Sequence, residues 1–162
     1  MSGAATRDLP AEYQAKLAEL REAIGAARDW ATALSETVRR LRDAFGKYNW
    51  VGVYWVIRHQ LVLAAWDGPE PTEHVRIPIG TGICGLAAES GQTVVVPDVS
   101  RDPRYLACFP YTRSEIVVPI KRDGRVLGEI DIDSNLLDPF GPEDRVLLEA
   151  VAALLAEKYP GD

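Results

Sequence analysis

Two cysteines, a run of acids and a pair of aromatics are the residues of this 162-residue chain whose types and spacing suit chemistry. Cys84 lies in RIPIGTGICGLAAESGQ, flanked by Gly80, Gly82 and Gly85 and followed by a small-residue helical stretch over residues 86–90. Glycines there predict a turn in open φ/ψ space and then a helix start. A thiol at a helix N-terminus feels the positive end of the dipole, which favours thiolate. The plainer role for Cys84 is that of a small buried hydrophobe. Cys108 sits in YLACFPYTRSEIVVP, a Pro-rich loop leading into Glu115, where a thiol is well placed to react. If the two thiols meet, one can attack and become a sulfenic acid while the other condenses with it. Nearby carboxylates would raise a thiol's pKa. A helix terminus offsets that at Cys84 and nothing obvious does at Cys108, so Cys84 has the better physical case for thiolate.

The acids lie on one strand face. In GEIDIDS, Ile130 and Ile132 point one way while Glu129, Asp131 and Asp133 point the other. Three like charges on one face repel, so this face is either solvated or a site. The preceding strand begins at Glu115, a fourth carboxylate. In NWVGVYWVI, Trp50, Gly52 and Tyr54 share a face, and the glycine between two aromatics predicts a notch for a ligand. Crowded carboxylates keep one of their number protonated as a general acid. The rest can hold an ammonium group, and Trp50 and Tyr54 offer a face to a cation or a polarisable sulfur. Such a pocket takes a zwitterionic or cationic small molecule and disfavours phosphate. Arg113, beside Glu115, is better suited to pairing with an acid than to binding an anion.

These residues need a scaffold. Tyr13, Leu17, Leu20, Ile24 and Ala27 make one apolar stripe on a charged helix, and Trp30, Leu34, Val38, Leu41 and Phe45 make a second. Residues 49–66 predict a hairpin turning at Arg58-His59-Gln60. HVRIPI is a short extended piece, TVVVPD a buried strand ended by proline, and residues 99–113 a long loop. SEIVVPIK and RVLGEIDIDS form a second hairpin about an RDG turn. The chain closes with a helix whose N1 position suits Pro142, with Glu143 and Asp144 in its first turn. The order predicts an α+β fold with helices packed on an antiparallel sheet. We divide it into an N-terminal helical segment, residues 1–28, and a single domain, residues 29–162. The first segment serves either as a dimer contact or as a helix packed on its own domain.

Composition excludes several classes. An apolar fraction of 47% and a charged fraction of 26% are those of a globular protein. A formal net charge of −6 gives no electrostatic support to a nucleic-acid partner. No apolar run is long enough to span a membrane, and the N-terminus has no signal core, so a cytoplasmic location is expected. Two cysteines and two histidines at unsuitable spacing predict no metal site.

Taken together, NWVGVYW, VRIPIGTGICG, VVPDV, LACFPYTRSEIVVPI and LGEIDIDS resemble the free methionine-(R)-sulfoxide reductases, which are stand-alone GAF domains. The similarity runs from about Trp30 to the end. It implies a GAF-like sheet of roughly six antiparallel strands flanked by helices, commonly as a homodimer. It also implies reduction of free methionine-(R)-sulfoxide with thioredoxin as reductant and no cofactor. Carried over position by position, Cys108 matches the cysteine that attacks the sulfoxide sulfur and Cys84 a partner that resolves the intermediate as a Cys84–Cys108 disulfide. Glu115, Asp131 and Asp133 match the carboxylates that hold the sulfoxide oxygen and amino group, and Trp50 and Tyr54 match aromatics around the methyl sulfoxide.

Three positions depart from the family. A third cysteine often precedes VRIP, where this chain has His74, and the usual HIACD reads YLACF, placing Tyr105 and Phe109 where the family has His and Asp. With two thiols, either Cys84 resolves Cys108 directly or thioredoxin attacks the sulfenic acid, and the two thiols can also exchange roles. His74 is then either a surface residue or a general acid/base. The rival to a reductase is a non-catalytic GAF module that senses or binds a small ligand, since one fold hosts many functions.

Overall fold

The computed structural model describes residues 3–107 and 109–161. Among them the elements run α1 (Gly3–Arg7), α2 (Ala11–Ala26), α3 (Trp30–Ala44), β1 (Trp50–Ile57), β2 (Gln60–Asp67), β3 (Arg76–Pro78), α4 (Gly82–Ser90), β4 (Val94–Val96), β5 (Ser114–Arg122), β6 (Arg125–Ser134) and α5 (Pro142–Lys158). The strands form one antiparallel sheet in the order β3-β2-β1-β6-β5-β4. The expected α+β architecture, six strands flanked by helices, is the one observed.

Local chemistry sets the boundaries. Asp29 caps α3, its carboxylate accepting the Thr32 N–H at 2.8 Å. Gly141 precedes Pro142 at the start of α5, and Asp144 accepts the Gly141 N–H at 2.8 Å. The first hairpin turns on two residues, Arg58 (φ 49°) and His59 (φ 68°), and Gln60 pairs with Ile57 as the first residue of β2. The turn is therefore one residue shorter than expected. The second hairpin turns on Asp123 (φ 54°) and Gly124 (φ 79°), the left-handed pair a two-residue hairpin requires.

The sheet has two unlike faces. Val51 and Val53 of β1, Ile116, Val118 and Ile120 of β5 and Ile130 and Ile132 of β6 enter one cluster with α2, α3 and α5. Tyr13, Leu17, Leu20 and Ile24 of α2 are buried in that cluster, so the first apolar stripe is covered within the chain. The opposite face, with Trp50, Tyr54 and Val117, packs beneath α4 and around Phe109. Among the described residues, no helix is long and apolar enough to cross a membrane.

Candidate active site

Strand pairing brings the acids and aromatics together. Across β1 and β6, Trp50 faces Asp133, Gly52 faces Asp131 and Tyr54 faces Glu129. Across β5 and β6, Glu115 faces Asp133. All four carboxylates and both aromatics are buried, and Glu129 is wholly inaccessible. The acid face is therefore interior, not solvated.

Over this face lies α4. Gly80 (φ 94°) and Gly82 (φ 68°) take left-handed backbone at the turn, and a Cβ on Gly85 would stand 2.8 Å from the Pro78 carbonyl oxygen and the Gly80 nitrogen. That close approach starts the helix at Gly82, four residues earlier than expected, and places Cys84 in its first turn. The Cys84 thiol lies 4.0 Å from Glu115 Oε2. Tyr54, Ile77, Ile83, Cys84, Leu106, Glu115 and Asp131 line a common chamber whose free volume is about 10 Å³, room for one water-sized sphere.

The surroundings of Cys84 disfavour the thiolate expected there. Burial pushes its pKa well above the usual thiol value, and Asp131, Glu129 and Glu115 push it further. One helix terminus is worth about 0.3–1 kcal/mol near the surface, less than desolvation combined with three carboxylates.

The carboxyls are raised by the same causes. Burial and then Asp131 hold Glu129 well above the usual carboxylate range. Burial raises Asp131, and burial with the Asp131 charge raises Asp133 further. Hydrogen bonds oppose the shift: Glu115 bonds to both aspartates, and Thr112 donates to Asp133 Oδ2 at 3.2 Å. Two carboxyls in hydrogen-bond contact must share a proton. Both oxygens of Glu129, with Asp131 Oδ1 and Asp133 Oδ1, have no hydrogen-bond partner of good geometry among the described residues.

The predicted residues divide into two groups on one face. Cys84, Tyr54, Glu115 and Asp131 line the chamber. Trp50 and Asp133 lie one strand position further along, beside Phe109 and Thr112. The notch expected at Gly52 is filled by the Trp50 indole, because a side chain two residues away on the same face has nowhere else to lie. Cys108 lies outside the described residues. Arg113 is exposed; hydrogen bonds from Ser100 chiefly hold the nearby Asp98 carboxyl below its ordinary value, with the Arg101 and Arg113 charges adding a little. His74 is neither free on the surface nor in the acid cluster. Its Nε2 lies 2.8 Å from the Ala107 carbonyl oxygen, and its own carbonyl accepts the Tyr54 hydroxyl at 2.8 Å. Sequence reasoning placed Glu129 on the acid face but not among the site residues. Strand alternation with Asp131 was the signal, and burial supplies the remainder.

The two-faced antiparallel sheet with a short helix over its acid face is the GAF architecture, and the GAF domain family model matches residues 29–158. A free methionine-R-sulfoxide reductase from Neisseria meningitidis, solved with its substrate, superposes with a TM-score of 0.84 at 40% identity, over 90% of this chain and 87% of that one. The Escherichia coli protein named free methionine-R-sulfoxide reductase is 34% identical over 122 residues, 75% of this chain and 73% of that protein. Its Saccharomyces cerevisiae namesake is 39% identical over 111 residues, 66% of this chain and 61% of that protein. The chain belongs to the free methionine-R-sulfoxide reductase family of GAF domains.

Proposed function

We propose that this protein reduces free methionine-(R)-sulfoxide to methionine. The observation that carries the reading is the convergence of Cys84, Tyr54, Glu115 and Asp131 on one chamber beneath α4. Similarity to reductases bearing that name supports it. Buried carboxyls that share protons suit a substrate with one cationic group and one basic oxygen: the ionised members hold the ammonium and a protonated member donates to the sulfoxide oxygen.

Cys108 attacks the sulfoxide sulfur as that oxygen is protonated. The attack makes a Cys108–substrate S–S bond; the hydroxyl then passes from the substrate sulfur to the Cys108 sulfur as that S–S bond breaks, so methionine leaves and Cys108 holds the oxygen as a sulfenic acid. The Cys84 thiol then displaces that oxygen as water and forms a Cys84–Cys108 disulfide, which a thioredoxin-type dithiol reduces. Two features support Cys84 as the resolving thiol: its burial and its carboxylate neighbours disfavour a free thiolate before the first step. The Trp50 indole and Tyr54 phenol form the wall against the methyl sulfoxide. We read the protein as a cytoplasmic homodimer, with residues 1–28 as a helical segment added to the domain of residues 29–162.

The test is release of free methionine from each sulfoxide diastereomer, with dithiothreitol or thioredoxin as reductant. Turnover confined to the R form and abolished in Cys108→Ser is the expected outcome. With thioredoxin as reductant, Cys84→Ser should release a single equivalent and then stall. Binding without turnover of either diastereomer would overturn the reductase in favour of a ligand-sensing module.

A further inference from the structure

We propose that the reduced chamber is also a binding site for a soft divalent cation of the Zn²⁺ or Cd²⁺ type, held by Cys84, Glu115 and Asp131. The Cys84 sulfur and one carboxylate oxygen each from Glu115 and Asp131 all lie within 4.8 Å of one another, and all three residues are buried. The sulfur stands 4.0 Å from Glu115 Oε2. In a tetrahedral site with Zn–S near 2.3 Å and Zn–O near 2.0–2.2 Å, neighbouring ligand atoms stand roughly 3.5 Å apart, so separations that now reach up to 4.8 Å must contract by at most about 1.3 Å. Rotamer adjustment of Glu115 and Asp131 supplies that.

A second feature points to a cation independently of this triangle. Glu129 is wholly buried beside Cys84, and apart from that thiol neither of its oxygens has a hydrogen-bond partner of good geometry among the described residues. Asp131 Oδ1 is buried and unpartnered as well. Buried carboxylate oxygens left unpaired are costly, and a divalent ion among Cys84, Glu115 and Asp131 satisfies Asp131 Oδ1 and lowers the cost of charge on Glu129 nearby.

Ligand type selects the metal. Four carboxylates alone would suit Mg²⁺ or Ca²⁺, but a thiolate ligand favours Zn²⁺ and Cd²⁺. Cysteine and histidine spacing gave no hint of this, because two of the three ligands are carboxylates that only strand pairing brings beneath Cys84. The ion uses Cys84, Glu115 and Asp131, side chains assigned above to the reaction, so it competes with free methionine sulfoxide. That competition rests on the proposed function, whereas the binding itself does not.

The test uses the full chain, reduced and free of oxygen, titrated with CdCl₂ while sulfur-to-cadmium charge transfer is followed in the ultraviolet. One equivalent should saturate the band in the wild type. Cys84→Ser should abolish it, Cys108→Ser should keep it, and Asp131→Asn should weaken affinity by roughly tenfold or more, since even outer partners of a metal ligand cost that much. Circular dichroism of each variant checks that it is folded. A band that survives Cys84→Ser, one that disappears in Cys108→Ser, or no band at all would overturn the site, as would equal displacement of Cd²⁺ by Mg²⁺. Added methionine sulfoxide should raise the apparent Kd for Cd²⁺. If the band behaves as stated but the sulfoxide has no effect and no methionine is released, the metal site stands and the reductase reading fails. If methionine is released but no band forms, the reverse holds.

Discussion

The Trp50 indole lies across Gly52, so closely that a Cβ on Gly52 would fall 2.4 Å from the ring. A Cβ on Gly68 would likewise fall 2.3 Å from the pyrrole edge of the same ring. The indole cannot swing aside, because its Nε1 donates to the Glu70 carbonyl at 3.2 Å and its faces meet Trp66 and Phe109 at centroid distances of 6.3 and 5.7 Å. Gly52→Ala therefore overpacks a rigid site and should destabilise the fold by about 1–3 kcal/mol. It should also raise KM for the sulfoxide, since the displaced ring moves toward Asp133. Urea unfolding and steady-state kinetics measure the two effects, and an unchanged unfolding midpoint would show that the indole is free to move.

Glu129 carries a cost that function explains better than stability does. A wholly buried carboxyl with no hydrogen-bond partner of good geometry among the described residues, next to Asp131 and Cys84, lowers stability wherever it ionises. Glu129→Gln keeps the shape and removes the charge. It should unfold at a temperature equal to or above that of the wild type, while kcat/KM falls by about 10²–10⁴ if Glu129 donates the proton. Thermal unfolding with a methionine-release assay separates the outcomes. A less stable but fully active variant would make Glu129 a structural residue.

Much of this arrangement was legible in the chain because strand periodicity is strict. Alternation in GEIDIDS and NWVGVYW assigned Glu129, Asp131, Asp133, Trp50 and Tyr54 to their faces, and the pairing of β1 with β6 joins those faces directly. Glu115 followed from its place at the head of the partner strand. Tertiary burial was not legible. Whether the acid face met water or α4 depends on how Gly80, Gly82 and Gly85 fold that helix back over the sheet. The same ignorance produced the thiolate expectation at Cys84, because the helix terminus is local in sequence and the opposing carboxylates are not.

A fifth buried acid, Asp144, was legible only as a helix-start residue. In the fold its carboxylate accepts from Tyr48 at 2.5 Å and Tyr13 at 3.1 Å, and pairs with Lys47 at 2.7 Å. The three partners titrate in one direction. Burial raises both tyrosines, with the Asp144 charge adding to it, and hydrogen bonds to Asp144 and Tyr13 raise Lys47 against the opposing effect of its burial. Groups whose folded pKa lies above the unfolded value stabilise fully below the unfolded value, about 10 for Tyr and Lys, and lose that contribution as pH rises through the folded one. Stability should therefore be flat from neutral pH toward 10 on account of this cluster and fall above it. Tyr48→Phe should be weaker at neutral pH by about 1–3 kcal/mol, since it strands one bond to a buried carboxylate, and should show a shallower alkaline fall. Urea unfolding across that range tests it, and parallel curves for the two proteins would contradict it.

His74 links two segments that have no strand pairing with each other. A carbonyl oxygen only accepts, so His74 Nε2 carries the proton it donates to Ala107, the residue before Cys108 in sequence. The peptide of His74 is itself fixed, its N–H bonded to Thr72 Oγ1 at 3.0 Å and its carbonyl to the Tyr54 hydroxyl at 2.8 Å. Tyr54 stands opposite Glu129, so a chain of contacts runs from the acid face to the 99–113 loop. A general acid/base at this position would need its ring in the chamber, where Cys84, Tyr54 and Asp131 lie and His74 does not. His74→Ala removes the donor and should speed amide exchange in residues 102–111 while leaving strand amides unchanged, because one hydrogen bond of about 0.5–1.5 kcal/mol is lost locally. His74→Gln, which keeps an N–H on a side chain of similar reach, should recover much of the protection. In turnover, His74→Ala should lower kcat more than it raises KM, with a pH–rate profile of unchanged shape. A shift in that profile would instead assign His74 a proton-transfer role, and exchange rates equal to the wild type would remove it from the positioning of the loop.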